Sequence, residues 1–165
     1  MIIYMKTKII PCDYSDPKHR KAVIALIADY IQDEMGGGLP LSEQEQIDLV
    51  EGLKNHPKTI VLLAETEGVF TGLLTAFENF STFTARPMIN IHDVMVLKEY
   101  RRKGIGRSLM NALIEEAEKR NCSRITLEVR KDNLPAQNLY QDLGFDETKP
   151  SMFYWRKYLQ FHPFG

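Results

Sequence analysis

The chain has 165 residues, 44% hydrophobic and 26% charged, with a net charge of −1. That length suits one domain with a substantial core, and the composition excludes a disordered chain. Near-neutral charge also excludes a global pull toward nucleic acid or anionic membrane, so any affinity for phosphate has to be local.

In chain order, residues from about Lys6 to Cys12 read as a first strand, closed by Asp13-Tyr14-Ser15-Asp16-Pro17. Pro17 suits the first turn of a helix capped by Asp16 or Ser15. Its apolar face is Val23, Ile24, Ile27, Ala28 and Ile31. Gly36-Gly37-Gly38 ends that helix, and Ser42-Glu43-Gln44-Glu45 is a capping box opening a second one with Ile47, Val50 and Leu53. Thr59 to Thr66 is an apolar run of the kind that forms a strand buried on both faces. Glu67-Gly68 predicts a hairpin turn into a strand from Val69 to about Phe80. A loop from Ser81 to Pro87 leads to a fourth strand from Met88 to Leu97. A helix starting at Gly104 carries Ile105, Leu109, Ala112, Leu113 and Ala117 on one stripe. A fifth strand is expected over Arg124 to Arg130, then a short helix, then strands near Gly144 to Thr148 and Met152 to Tyr158. The sum is one mixed α/β domain spanning residues 1–165, with no repeat or linker.

Cys12 and Cys122 lack a C-x-x-C neighbour or metal-type spacing and read as buried or incidental thiols of a reducing compartment. No metal site is expected. Met1-Ile2-Ile3-Tyr4-Met5-Lys6 lacks the apolar core and cleavage site of a signal peptide. No run approaches the roughly 18 apolar residues of a membrane span. A cytoplasmic protein without membrane or nucleic-acid partners is the expectation.

The densest signal is Tyr100-Arg101-Arg102-Lys103-Gly104-Ile105-Gly106-Arg107-Ser108. Two glycines one residue apart let the backbone turn tightly. Arg101, Arg102, Lys103 and Arg107 crowd the positive end of the following helix, where cations are unfavourable. A local rule broken this openly points to an anion seated there. A second motif follows in Asn133-Leu134-Pro135-Ala136-Gln137-Asn138-Leu139-Tyr140-Gln141-Asp142-Leu143-Gly144-Phe145. Asn133 suits an N-cap, and Asn133, Ala136 and Tyr140 share one helical face, with a small residue between two hydrogen-bonding ones.

Arg-x-x-Gly-x-Gly at a helix start, then Asn-x-x-Ala-x-x-x-Tyr-x-x-x-Gly-Phe about thirty residues later, resembles the GCN5-related N-acetyltransferase superfamily, most strongly from Ile89 to Phe145. The resemblance implies a mostly antiparallel sheet of six to seven strands, splayed at the fourth and fifth, with about four flanking helices. It implies acetyl-CoA as the acetyl donor, its pyrophosphate on the main chain of Arg101, Arg102, Lys103, Gly104, Ile105 and Gly106. Main-chain groups of Val94, Met95 and Val96 would hold the pantetheine arm, with Asn133 contacting it beside Ala136. Arg102, Lys103 and Arg107 would add contacts to CoA phosphates.

Tyr140 matches the family's general acid. A phenol near pKa 10 is only slightly reluctant to protonate a departing thiolate of pKa roughly 8.5. His92 has the intrinsic pKa to take the proton that the acceptor amine must lose, directly or through water. Regular alternation would put Asp93 on the opposite face from His92, whereas a bulge of the family's kind would reverse that. Asp29, Asp33 and Glu34, the Gly36–Gly38 loop and Phe80-Ser81-Thr82-Phe83 fall where relatives build the acceptor pocket. The reading is a small-molecule amine N-acetyltransferase with direct, sequential transfer. A protein lysine or N-terminal acetyltransferase and a non-catalytic acyl-CoA-binding regulator are the alternatives. The aromatic C-terminal groups Phe153-Tyr154-Trp155 and Phe161-His162-Pro163-Phe164 suit either a homodimer surface or packing within the chain.

Overall fold

A computed structural model describes residues 6–159. Met1 to Met5 and the Phe161-His162-Pro163-Phe164 group lie outside the described residues. The chain divides into two compact units, Met1–Glu128 and Val129–Gly165.

The first unit is built on one sheet in the order β1 (Thr7–Pro11), β2 (Thr59–Thr66), β3 (Val69–Ser81), β4 (Arg86–Val96), β5 (Ile125–Leu127). Neighbours are antiparallel except the last pair, β4 and β5, which run parallel. β2 and β3 are central, and Leu63, Leu73 and Leu74 are fully buried, which is why β2 reads as an unbroken apolar run.

α1 (Pro17–Gln32) and α2 (Glu43–Asn55) share one face of the sheet. Ala22, Val23, Leu26, Ile27 and Leu53 pack there with Val61, Leu63, Leu73 and Met95. Both helices start as their sequences predict: Asp16 accepts from Lys18 N–H ahead of Pro17, and Ser42 and Glu45 complete a reciprocal capping box. Ile47, expected on the buried stripe of α2, is instead 57% exposed. α3 (Ile105–Lys119) covers the other face through Ile105, Leu109, Met110, Leu113 and Ala117. It approaches so closely at Gly72 that an added Cβ would lie 3.3 Å from Leu109 and 3.4 Å from Ile105.

Among the described residues the sheet has five strands rather than six to seven. Residues 144–148 and 152–158 form no strand. The second segment has apolar residues but no alternation, and Pro150 removes a ladder donor. Met152, Phe153, Tyr154, Trp155 and Leu159 are exposed. The fifth strand, expected over Arg124 to Arg130, is only three residues long, because its ladder with β4 ends at Ile91↔Leu127. In the second unit, α4 (Leu134–Asp142) is capped by Asn133 and followed by Gly144 at φ +85°.

Candidate active site

Between β4 and α3 the chain makes a short 3-10 turn, Lys98–Tyr100, and then a bend containing Arg102 at φ +62° and Gly104 at φ +81°. Gly104 is the N-cap of α3 in the left-handed conformation and makes no side-chain cap. Open space surrounds the position of its missing Cβ, so glycine is required there by the backbone angle and not by crowding. The first intrahelical bond is Ser108 N–H to Gly104 O at 3.0 Å. Among the described residues, the N–H groups of 102–106 donate to no backbone carbonyl. A helix start leaves such donors unsatisfied, and here nothing acidic follows them in the first turn. Arg102, Lys103 and Arg107 are exposed around them, with the Lys103 ammonium 5.1 Å from the centre of the Tyr100 ring.

The Arg101 N–H, expected among the pyrophosphate-binding amides, donates to Lys98 O at 3.3 Å, and the side chain is engaged elsewhere. Its Nε donates to Val96 O at 2.9 Å and its Nη2 to Asp33 Oδ2 at 2.7 Å. The guanidinium, followed by the Met35 N–H, holds the Asp33 carboxyl below the usual carboxylate range. Asp33, expected among the carboxylates that draw in a cationic acceptor, therefore has its charge answered within the protein. Asp29 is exposed at the end of α1.

β4 is paired on both sides only in its first half. Leu97 N–H donates to Thr71 O at 2.9 Å. Antiparallel alternation along the Gly72↔Val96, Leu73↔Met95 register then turns the Met95 N–H and C=O toward β3. The same parity sends those of Val94 and Val96 to the opposite edge, beyond the last β5 pair. This corrects the expectation for Met95: its main chain serves the ladder, and its side chain is core.

The register also skips one residue. Thr75 pairs with Asp93 and Ala76 with Ile91, leaving His92 as a β-bulge immediately after β5 loses contact. A bulge kinks and twists its strand. The His92 ring meets Phe77 edge-on at 4.7 Å, and Phe77 likewise meets His56 at 4.8 Å. Asp93 Oδ2 accepts a hydrogen bond from Thr75. Because Thr75 and Phe77 lie two apart on β3, His92 and Asp93 reach the same face, that of α1 and α2, and the opposite-face expectation does not hold. Sequence reasoning missed Thr75, Phe77 and His56 as their neighbours. A hydroxyl inside the apolar run Leu73–Ala76 was the one visible hint.

In the second unit, Asn133 Oδ1 accepts from Ala136 N–H at 3.3 Å. Gln137 Nε2 donates to the carbonyls of Arg130 and Lys131 at 2.9 and 3.0 Å, fastening the approach to α4. Tyr140 is half-buried, its ring centre 6.0 Å from that of Phe145.

The relatives of this mixed sheet, whose fourth strand loses its parallel neighbour midway and runs into an amide-lined helix start, make it an acyl-CoA-dependent N-acetyltransferase. Residues 24–145 match the Acetyltransferase (GNAT) family, and the chain belongs to it. It is 35% identical to an N-alpha-acetyltransferase of Sulfurisphaera tokodaii over 113 residues, 64% of this chain and 67% of that protein. It is 44% identical to the [ribosomal protein bS18]-alanine N-acetyltransferase of Escherichia coli over 58 residues, 35% of this chain and 39% of that protein. Among solved structures, AAC(6')-Iy in complex with the bisubstrate analog CoA-S-monomethyl-acetylneamine superposes with a TM-score of 0.73 at 17% identity, covering 92% of this chain and 99% of that one.

Proposed function

We propose that this protein moves the acetyl group of acetyl-CoA directly to the primary amine of a small molecule. The observation that carries the reading is the outward edge of Val94 and Val96 leading into the 102–106 amides, two donor sets without acceptors in one continuous path. The pantetheine amides pair with the N–H and C=O of Val94 and the N–H of Val96 as an added strand would, the Val96 carbonyl being held by Arg101. Pyrophosphate oxygens accept from the 102–106 N–H groups at the positive end of α3. Arg102, Lys103 and Arg107 answer the remaining phosphate charge. Asn133 spends its Oδ1 on the cap and offers its Nδ2 to a pantetheine carbonyl, while the small Ala136 leaves room on the same face. Residues 1–165 are read as one acetyltransferase domain, of which the family match covers 24–145.

Tyr140 protonates the departing sulfur. His92, directly or through water, takes the amine proton. Asp93, held by Thr75 on the same face, is the other candidate base. Direct transfer is supported by the state of the two thiols. Burial, then Asp13, pushes Cys12 up to about 11, and burial raises Cys122 as well, so neither is a ready nucleophile.

A small acceptor is favoured by the turn at residues 33–38, tied down across the end of β4 by Arg101. A second reading, transfer to a protein N-terminus, is favoured by the names of the two relatives and by Phe80 and Phe83. These were expected at the acceptor pocket and are 64% and 96% exposed. The test is a released-thiol assay over small amines and N-terminal peptides. Tyr140→Phe is expected to lower turnover roughly 10²-fold with CoA affinity retained; unchanged turnover removes its role. A His92→Ala pH–rate profile matching wild type removes His92. CoA binding without thiol release for any amine leaves a binding protein.

A further inference from the structure

We infer that Arg101 is a positioning residue, one that ties the donor-binding edge of β4 to the acceptor-side turn at residues 33–38. The inference rests on the donor site proposed above. It goes beyond that site by removing Arg101 from the phosphate ligands and giving it a different task.

The guanidinium is already spent. Its Nε satisfies Val96 O, the outward carbonyl at the end of the edge along which pantetheine lies, and its Nη2 holds Asp33 Oδ2. Asp33 in turn holds the first residues of the turn that follows α1. Its Oδ1 accepts from Met35 N–H at 3.0 Å, and its carbonyl accepts from Gly36 and Gly37 N–H at 2.9 and 3.1 Å. Gly38 N–H closes the turn on Ile31 O at 2.9 Å. The Asp33 backbone is held to α1 by its N–H on Asp29 O and Tyr30 O at 3.0 and 3.1 Å, and its carboxylate, which carries the Met35 N–H, is held by Arg101.

Both ends of this link matter for transfer. One end is a neighbour of Val94 and Val96. The other is the end of α1, whose face of the sheet is the one that His92 and Asp93 reach. A ligand that orders the β4 edge and the 102–106 turn therefore steadies residues 33–38 through one side chain. The rigid fork of arginine makes both bonds at once; a lysine in its place keeps the charge but cannot span Val96 O and Asp33 together.

Amide hydrogen exchange with and without CoA tests this, alongside calorimetry with CoA, on wild type, Arg101→Lys and Asp33→Asn. In wild type, CoA is expected to slow exchange at Met35, Gly36 and Gly37. Each variant should lose that response and exchange about fivefold faster at those amides, the size expected of a pair 42% and 19% exposed. CoA affinity should stay within about threefold, because the amides and the charge near the phosphates are kept. Amides of the buried Leu63 and Leu73 report that both variants are folded. A wild-type response that survives in either variant overturns the inference, as does a flat wild-type response in the presence of CoA heat. Absence of CoA heat in folded wild type fells the donor site itself, and the link with it.

Discussion

α2 and α3 begin in opposite ways. Ser42 and Glu45 complete the start of α2 from within: the Ser42 oxygen takes the Glu45 N–H, the Glu45 carboxylate takes the Ser42 N–H, and Glu43 adds negative charge to the first turn. α1 and α4 follow the same plan with Asp16 and Asn133. At α3 the cap is a bare glycine at φ +81°, the first turn has no acid, and the preceding residues are cations. A helix start costs free energy when its donors go unsatisfied. Among the described residues three helices meet that cost with their own side chains, whereas α3 has no side-chain cap. The open donors of α3 follow the open edge of β4, and the proposed donor site rests on the two together.

The most severe way to break the contrast is to give α3 an anion of its own. Gly104→Asp puts a Cβ in the left-handed region, at roughly 1–2 kcal/mol, and sets a carboxylate where phosphate belongs. CoA affinity measured by calorimetry should fall about 100-fold, a loss of about 2.7 kcal/mol. Wild-type affinity would mean that the amides are not the phosphate site. Val94→Pro sharpens the comparison from the strand side. It deletes an N–H that faces away from β3 and so costs the sheet no ladder bond. CoA binding should weaken roughly tenfold with little change in melting temperature, and a cooperative loss of folding would show that the parity argued for β4 is wrong. Ser42→Ala is the control with the smallest expected effect. Loss of the cap should cost about 1 kcal/mol, seen as a melting point lower by roughly 2–4 °C, with CoA affinity untouched. A change in CoA binding there would tie the start of α2 to the donor site.

The legible parts of the sequence were those governed by near neighbours. Asp16-Pro17 and Ser42–Glu45 announce their helices because capping is settled within four residues. Asn133 to Gly144 does so for the same reason. The turn before α3 was legible as a violation, cations where a helix dipole disfavours them. Harder to see was anything that a distant strand decides. Residues 152–158 have the apolar content of a strand, but content does not supply an edge to pair with. Ile47 fits the stripe of α2 by spacing and still faces water. Alternation assigned His92 and Asp93 to opposite faces, and one extra residue in the pairing with β3 put them on the same one.

Arg101 is the clearest case of that limit. Its place in Arg-x-x-Gly-x-Gly and its positive charge both pointed to phosphate, and nothing within reach in sequence names Asp33, 68 residues away, as its partner. The chain alone determined that an anion-receptive helix start follows an apolar strand, because turn geometry and dipole are local properties. Which carbonyls of that strand stay open, which carboxylates keep their charge for a ligand, and which cation is already engaged were decided only when the sheet assembled. Register and ion pairing join residues that the sequence holds far apart.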